Sequence, residues 1–312
     1  MNDQFTKPVE REVTFQSGNI KLVGSLRLPD AEGCFPAVLL LPGSGELDRN
    51  ENAPTLPINA LREIAEYLAG LGIASFRFDK RGVGASEGEH MGTGFFDHVE
   101  DATAALMCLK SQEQVQPEKV FVLGHSEGSG LTTRLAGSGA DVAGIILLTG
   151  WARKSEDLLI WQAEQVLPNM QGLNGWLVRV LHIDIRKAQL KQFAKIKKST
   201  RDWYRQLFVK INAKWFREFL EYTPAEDLVK IHVPVLAITG SKDIQVDPAE
   251  LKRMGELVKG EYESHELSDV THMLRTDPGK PTTDSYKEQI TRPVDARLLK
   301  IVGNWLKRQA NL

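Results

Sequence analysis

A serine lies midway between two glycines in Gly124-His125-Ser126-Glu127-Gly128, with an apolar run (120–123) before it and a helical stretch (128–136) after it. A serine on a sharp strand-to-helix turn sits in a strained backbone conformation, and the residues two before and two after it must lack side chains to avoid collision. Such a turn lifts the hydroxyl above the edge of a sheet and sets it at a helix N-terminus, where developing negative charge is favoured. The chemistry this spacing suits is nucleophilic acyl transfer, which needs a base to take the hydroxyl proton and an acid to orient the base. Seven histidines are available as base. His272, in Asp269-Val270-Thr271-His272-Met273-Leu274, follows the last strand-like run (262–267) and lies on a loop. For the acid, Asp243 and Asp247 both lie just past the run 235–239 and both qualify by position.

These residues need a frame. Runs 9–15 and 20–28 read as a hairpin-like pair joined by Gln16-Ser17-Gly18-Asn19. Short continuous apolar runs recur at 37–41, 73–78, 120–123, 143–148 and 235–239, as suits strands buried on both faces. Helical patterns at 58–71, 96–110 and 128–136 separate them, so the chain reads as βαβ units and a mostly parallel sheet, an α/β fold. The tail (294–306) has Leu298, Leu299, Val302 and Leu306 at helical spacing. Between 153 and 229 the strand rhythm stops, and amphipathic stretches carry Trp161, Trp176, Trp203 and Trp215 among many basic residues. The expected organisation is a core from 1–152 and 230–312, with 153–229 a helical cap inserted after the sixth strand. His182 falls in that insertion, His232 at a strand start on the wrong edge of a parallel sheet, and His265 inside the last strand.

The chain resembles the α/β-hydrolase superfamily, and within it capped bacterial esterases and serine-aminopeptidase relatives. Three segments carry the resemblance: Gly124 to Gly128; Leu41-Pro42-Gly43-Ser44-Gly45 at the position of the oxyanion loop; and Phe78-Asp79-Lys80-Arg81-Gly82-Val83-Gly84-Ala85-Ser86, similar to D-x-R-G-x-G-x-S. It extends from about residue 9 to residue 306, leaving out the insertion. The order serine, acid, histidine that it implies removes His90, His98 and His125 as bases. A glycine followed three residues later by the acid matches Gly240 and Asp243, while Asp247 before Pro248 reads as a helix cap. The resemblance implies backbone donors to the oxyanion from Glu127 and Ser44, with Gly43 or Gly45 as substitutes for the second. A carboxylate beside the nucleophile would repel an oxyanion, so Glu127 is expected to turn away and pair with a neighbouring base or N–H, with Arg49 and Arg81 as candidates, or else to bind a cationic group of a substrate. Asp79 and Arg81 are expected to brace their loop.

The activity implied is serine hydrolysis of small to medium acyl or aryl esters without metal or organic cofactor, with a peptidase or amidase, and a catalytically silent ligand-binding member, as alternatives. Lys+Arg 39 against Asp+Glu 41 gives a net charge of -2, which lends a nucleic-acid partner no support. Cys34 and Cys108 suggest reduced thiols rather than a disulfide framework. The polar start lacks a signal pattern and no run approaches the roughly 20 apolar residues of a membrane span, so a cytoplasmic location is expected. The oligomeric state has no signature in the sequence.

Overall fold

The computed structural model describes residues 8–169, 184–206 and 209–312. Eight strands form the main sheet: β1 (Val9–Ser17), β2 (Ile20–Leu28), β3 (Phe35–Leu41), β4 (Ala74–Phe78), β5 (Val115–His125), β6 (Gly144–Leu148), β7 (Val235–Gly240) and β8 (Tyr262–Leu267). Their order across the sheet is β1-β2-β4-β3-β5-β6-β7-β8. β1, β2 and β4 pair antiparallel, and every pair from β4 to β8 is parallel. This is the α/β-hydrolase fold.

The central strands are apolar on both faces because both faces are covered. Along β3 the side chains alternate: Ala37, Leu39 and Leu41 join one core and Val38 and Leu40 the other. The first core includes residues of α2 (Phe95–Lys110) and α3 (Glu127–Gly137). The second takes the apolar stripes of α1 (Ala60–Ala69) and of the C-terminal helix Ala296–Ala310, with Trp305 fully buried. Each large aliphatic side chain buried in this way is worth about 1.5–3 kcal/mol relative to exposure. Strand order turns back at β3, whose neighbours are β4 and β5, so a crevice opens at the carboxyl ends of the strands. The loops carrying Ser44, Lys80, Ser126, Asp243 and His272 all leave the sheet at that edge.

Between β6 and β7 lie α4 (Ser155–Asn169), α5 (Ile185–Lys197), α6 (Ala213–Glu221) and a short helix, Ala225–Leu228. Ile160, Phe193, Ile196 and Leu220 give this segment a small core of its own. Besides the expected helices, the segment holds two short strands that the sequence did not suggest. Trp203–Gln206 and Val209–Asn212 pair as an antiparallel hairpin. Two four-residue runs joined by two residues bury too little surface to register as the apolar strands of a core. Trp176, His182 and the basic position Arg179 lie outside the described residues.

Candidate active site

The turn after β5 has the geometry its glycines suggest. Ser126 has φ 53° and ψ −120°, a conformation that an L-residue keeps only where its surroundings hold it. A Cβ on Gly124 would lie 2.0 Å from the Gly128 carbonyl oxygen, and one on Gly128 would lie 2.2 Å from that of Leu41. No side chain fits either position, so the strand, the turn and α3 close tightly on one another.

Three side chains from three loops stand in one hydrogen-bonded row. Nε2 of His272 is 3.0 Å from Oγ of Ser126. Nδ1 of the same ring is 2.9 Å from Oδ2 and 3.1 Å from Oδ1 of Asp243. Oδ1 also accepts from the N–H groups of Gln245 and Val246, which fixes the carboxylate. Such a row can take the proton of a serine hydroxyl, keep the imidazole in the tautomer with Nδ1–H towards the acid, and stabilise the imidazolium. Asp247 faces elsewhere: it pairs with Arg153 at 2.6 Å and accepts from the N–H of Ala249 at 3.0 Å in the turn before helix Glu250–Leu257, whose N-cap is Ala249 rather than the expected Asp247.

Ser44, Ser126 and Glu127 border one small cavity of about 40 Å³, walled further by Trp151, Phe219 and Val246. Gly43 is not a free donor, because its N–H is bonded to Oε1 of Glu51 at 2.7 Å. A second chamber of about 350 Å³ adjoins the first and shares Ser44, Leu159, Gln162 and Trp215 with it. Met91, Ile211 and Phe216 make it apolar, and His90 and His98 also face it. Burial, with Lys80 nearby, pushes His90 down to about 4 and His98 well below its usual value, so both rings are neutral near pH 7. Asn212 donates to the carbonyls of His90 and Thr93, fastening the hairpin of the insertion to the core beside this chamber.

Glu127 pairs with a neighbouring base and an N–H as expected, but the base is neither Arg49 nor Arg81. Its Oε2 takes Lys80 Nζ at 2.8 Å and its Oε1 takes Trp215 Nε1 at 2.6 Å. Arg49 is instead bidentate to Asp79, and Arg81 to Asp101, which accords with a bracing role for Asp79 and Arg81. Lys80 turns into the site, whereas its neighbours Asp79 and Arg81 are bonded to Arg49 and Asp101.

A model of the family described as serine aminopeptidase, S33, matches residues 58–279. The chain belongs to that family. Esterase EstD of Thermotoga maritima is 28% identical over 302 residues, covering 95% of this chain and 67% of the esterase. Among solved structures, Est1E from Butyrivibrio proteoclasticus, seen with ferulic acid bound, superposes with a TM-score of 0.65 at 16% identity, over 96% of this chain and 100% of that one. Proline iminopeptidase of Mycobacterium smegmatis gives 0.62 at 15%, over 96% and 98%. The chain is thus an esterase-like α/β-hydrolase.

Two residues beside this site gave no sign in the sequence. Glu51 is buried and has φ 71°, and its Oε1 joins the Gly43 N–H to Nδ1 of His125 at 2.7 Å. His125 in turn reaches the carbonyl of His272 through Nε2 at 3.0 Å. Both ring nitrogens of His125 therefore face acceptors, which the doubly protonated ring satisfies. Burial pushes this histidine down, yet the Glu51 carboxylate, the His272 carbonyl and Asp243 together outweigh it and leave it raised. Among the described residues no group of three or more His, Cys, Asp or Glu side chains is arranged to hold a metal ion, and no helix is long and apolar enough to cross a membrane.

Proposed function

We propose that this chain hydrolyses carboxylic esters of small to medium acyl or aryl groups through an acyl-Ser126 intermediate. The observation that carries the reading is the row Ser126, His272, Asp243, which opens onto a cavity bordered by Ser44 and Glu127. His272 Nε2 takes the Oγ proton as Oγ attacks the ester carbon. The carbonyl oxygen becomes an oxyanion held by the N–H groups of Ser44 and Glu127, neither of which donates to another group among the described residues. His272 then returns the proton to the leaving oxygen, and water repeats the sequence to release the acid. Residues 153–229 serve as a cap: Leu159, Gln162, Trp215 and Phe216 from that segment wall the 350 Å³ chamber, a volume that suits a medium acyl or aryl group.

Ester hydrolysis is favoured over release of an N-terminal residue by the state of Glu127. A free substrate amine would need a carboxylate with its charge uncompensated, and the charge of Glu127 is already paired with Lys80. The test is labelling with a fluorophosphonate, peptide mapping by mass spectrometry, and a chain-length series of p-nitrophenyl esters beside p-nitroanilides. The expected result is an adduct on Ser126 alone, ester turnover exceeding anilide turnover, and a loss of about 10³-fold or more in kcat for Ser126→Ala. Labelling that persists in Ser126→Ala overturns the reading. A protein that is neither labelled nor active would make the chain a ligand-binding member instead.

A further inference from the structure

We propose that Lys80 is the positioning residue of the oxyanion site, holding with one ammonium both peptide segments whose N–H groups face the oxyanion. The inference rests on the acyl-serine reading and adds to it a residue with no part in the proton transfers.

Lys80 Nζ donates to the Gly43 carbonyl at 2.6 Å and to Oε2 of Glu127 at 2.8 Å. The two side chains are 3% and 1% exposed, so water competes for neither bond. The Gly43 carbonyl and the Ser44 N–H belong to one planar trans peptide and point in opposite directions. An ammonium fixed on the carbonyl therefore fixes the N–H on the far side, where Ser44 borders the cavity over Ser126. This peptide needs holding, because glycines flank Ser44 on both sides and Gly45 has φ 101°. Without restraint, glycines let such a peptide rotate and present its carbonyl to the site. A cation on the carbonyl also polarises the amide and strengthens its N–H as a donor.

The second bond acts on the other half of the site. Glu127 follows the nucleophile and offers its own N–H to the oxyanion. Its carboxylate, left alone there, would oppose the charge that its N–H stabilises. The Lys80 ammonium cancels that charge. The carboxylate in turn keeps the buried ammonium from being uncompensated. A lone carboxylate or a lone ammonium at this place would each be costly, and the pair permits one rigid cation at the Gly43 carbonyl.

The test separates this role from that of a structural ion pair. Lys80→Met/Glu127→Gln removes both charges together, so no buried charge is left unpaired, and the amide introduced at position 127 still offers an oxygen to Trp215. Rates are taken below the variant's Tm and normalised to the sites that a fluorophosphonate labels at completion. The expected result is a kcat on p-nitrophenyl acetate lowered about 10²-fold, as for loss of one oxyanion donor, with KM changed by less than about threefold. Affinity for a trifluoromethyl ketone, whose adduct places an oxyanion in the same site, should fall in step with kcat/KM. Lys80→Arg, which keeps a cationic donor, should recover about tenfold of the loss. A double variant that keeps kcat within about threefold of the parent, or keeps the ketone affinity, overturns the role of Lys80. Ser126→Ala is measured beside it. If that variant also keeps the parental rate, the acyl-serine reading falls too, whereas its inactivity with a fully active double variant removes the Lys80 inference alone.

Discussion

Nε1 of Trp215 donates to Oε1 of Glu127 at 2.6 Å, so a side chain of the segment between β6 and β7 is bonded to the residue that follows Ser126. The indole is stacked on Phe219, with ring centroids 4.6 Å apart and planes 13° from parallel, and it borders both cavities. Substrate fit and the seating of the insertion therefore meet in one residue. Trp215→Phe keeps an aromatic ring, though a smaller one, and loses a hydrogen bond to a charged group, a contribution of about 1.5–3 kcal/mol. It should raise KM for butyrate and longer p-nitrophenyl esters several-fold and leave acetate closer to the parent. Trp161 packs under Arg153, and Trp203, 40% exposed, lies under Lys210. Their Phe variants should keep the parental chain-length profile. An unchanged profile for Trp215→Phe would mean that its indole packs without shaping the acyl pocket.

Asp243 and Asp247 stand four residues apart on one loop and serve different partners. Asp243→Asn replaces an acceptor at Nδ1 of His272 with an amide, which favours the wrong tautomer, and kcat at neutral pH should fall by about 10³–10⁴-fold. Asp247→Asn keeps the turn's acceptor and gives up the ion pair with Arg153, which Glu250 still holds. It should leave kcat near the parent and lower stability by no more than about 1 kcal/mol. Parallel rate and melting measurements on the two variants decide between them, and the reverse ranking would assign the orienting acid to Asp247.

The parts of the site legible in the sequence were those imposed by local geometry. Gly124 and Gly128 mark a turn that admits no Cβ, and buried strands announce themselves by continuous apolar runs. Partner choice across loops had no comparable sign. Lys80 and Glu127 are 47 positions apart, and their pairing depends on which way each residue of the segment after β4 points. Arg49 and Arg81 looked equally available until Asp79 and Asp101 claimed them. Glu51 belongs to no periodic element, and its role comes from a left-handed backbone that brings its carboxylate under Gly43. The hairpin in the insertion escaped because its strands are half exposed and pair only with each other.

The raised histidine beside the site gives stability a pH dependence with a definite sign. His125 binds its proton more tightly in the folded chain than in the unfolded one, because Glu51, with the His272 carbonyl and Asp243, outweighs burial. Between the unfolded value near 6.5 and the folded value the native state holds more protons, so stability falls as pH rises through that window. The contribution is fully present below about 6.5. His90 and His98 work in the opposite sense, kept neutral in the fold, and they cost stability as pH falls below about 6.5. Glu51→Gln removes the carboxylate that holds the His125 proton. The Tm of the parent should decline from pH 6.5 upwards more steeply than that of Glu51→Gln, as followed by thermal melts across pH 6–9. Parallel curves for the two proteins in that range would show that His125 is not held protonated by Glu51.

The strain at Ser126 can be read from stability alone. Its φ of 53° with ψ −120° disfavours any residue with a Cβ, at a cost of about 1–3 kcal/mol. Ser126→Ala and Ser126→Gly both remove Oγ and its bond to His272, so their difference leaves the backbone as the variable. In an ordinary helix or strand interior, glycine is the less stable of the two by about 0.5–1 kcal/mol, because its unfolded chain has more freedom to lose. Here the order should invert, with Ser126→Gly more stable than Ser126→Ala by about 1 kcal/mol, which is on the order of 2 °C in Tm for a chain of this size. Both variants should be without ester turnover, so the comparison is one of thermal or denaturant melts. If alanine proves equal to or better than glycine, the turn after β5 is relaxed, and the tight closure of Gly124 and Gly128 on their neighbours places the nucleophile without stored strain.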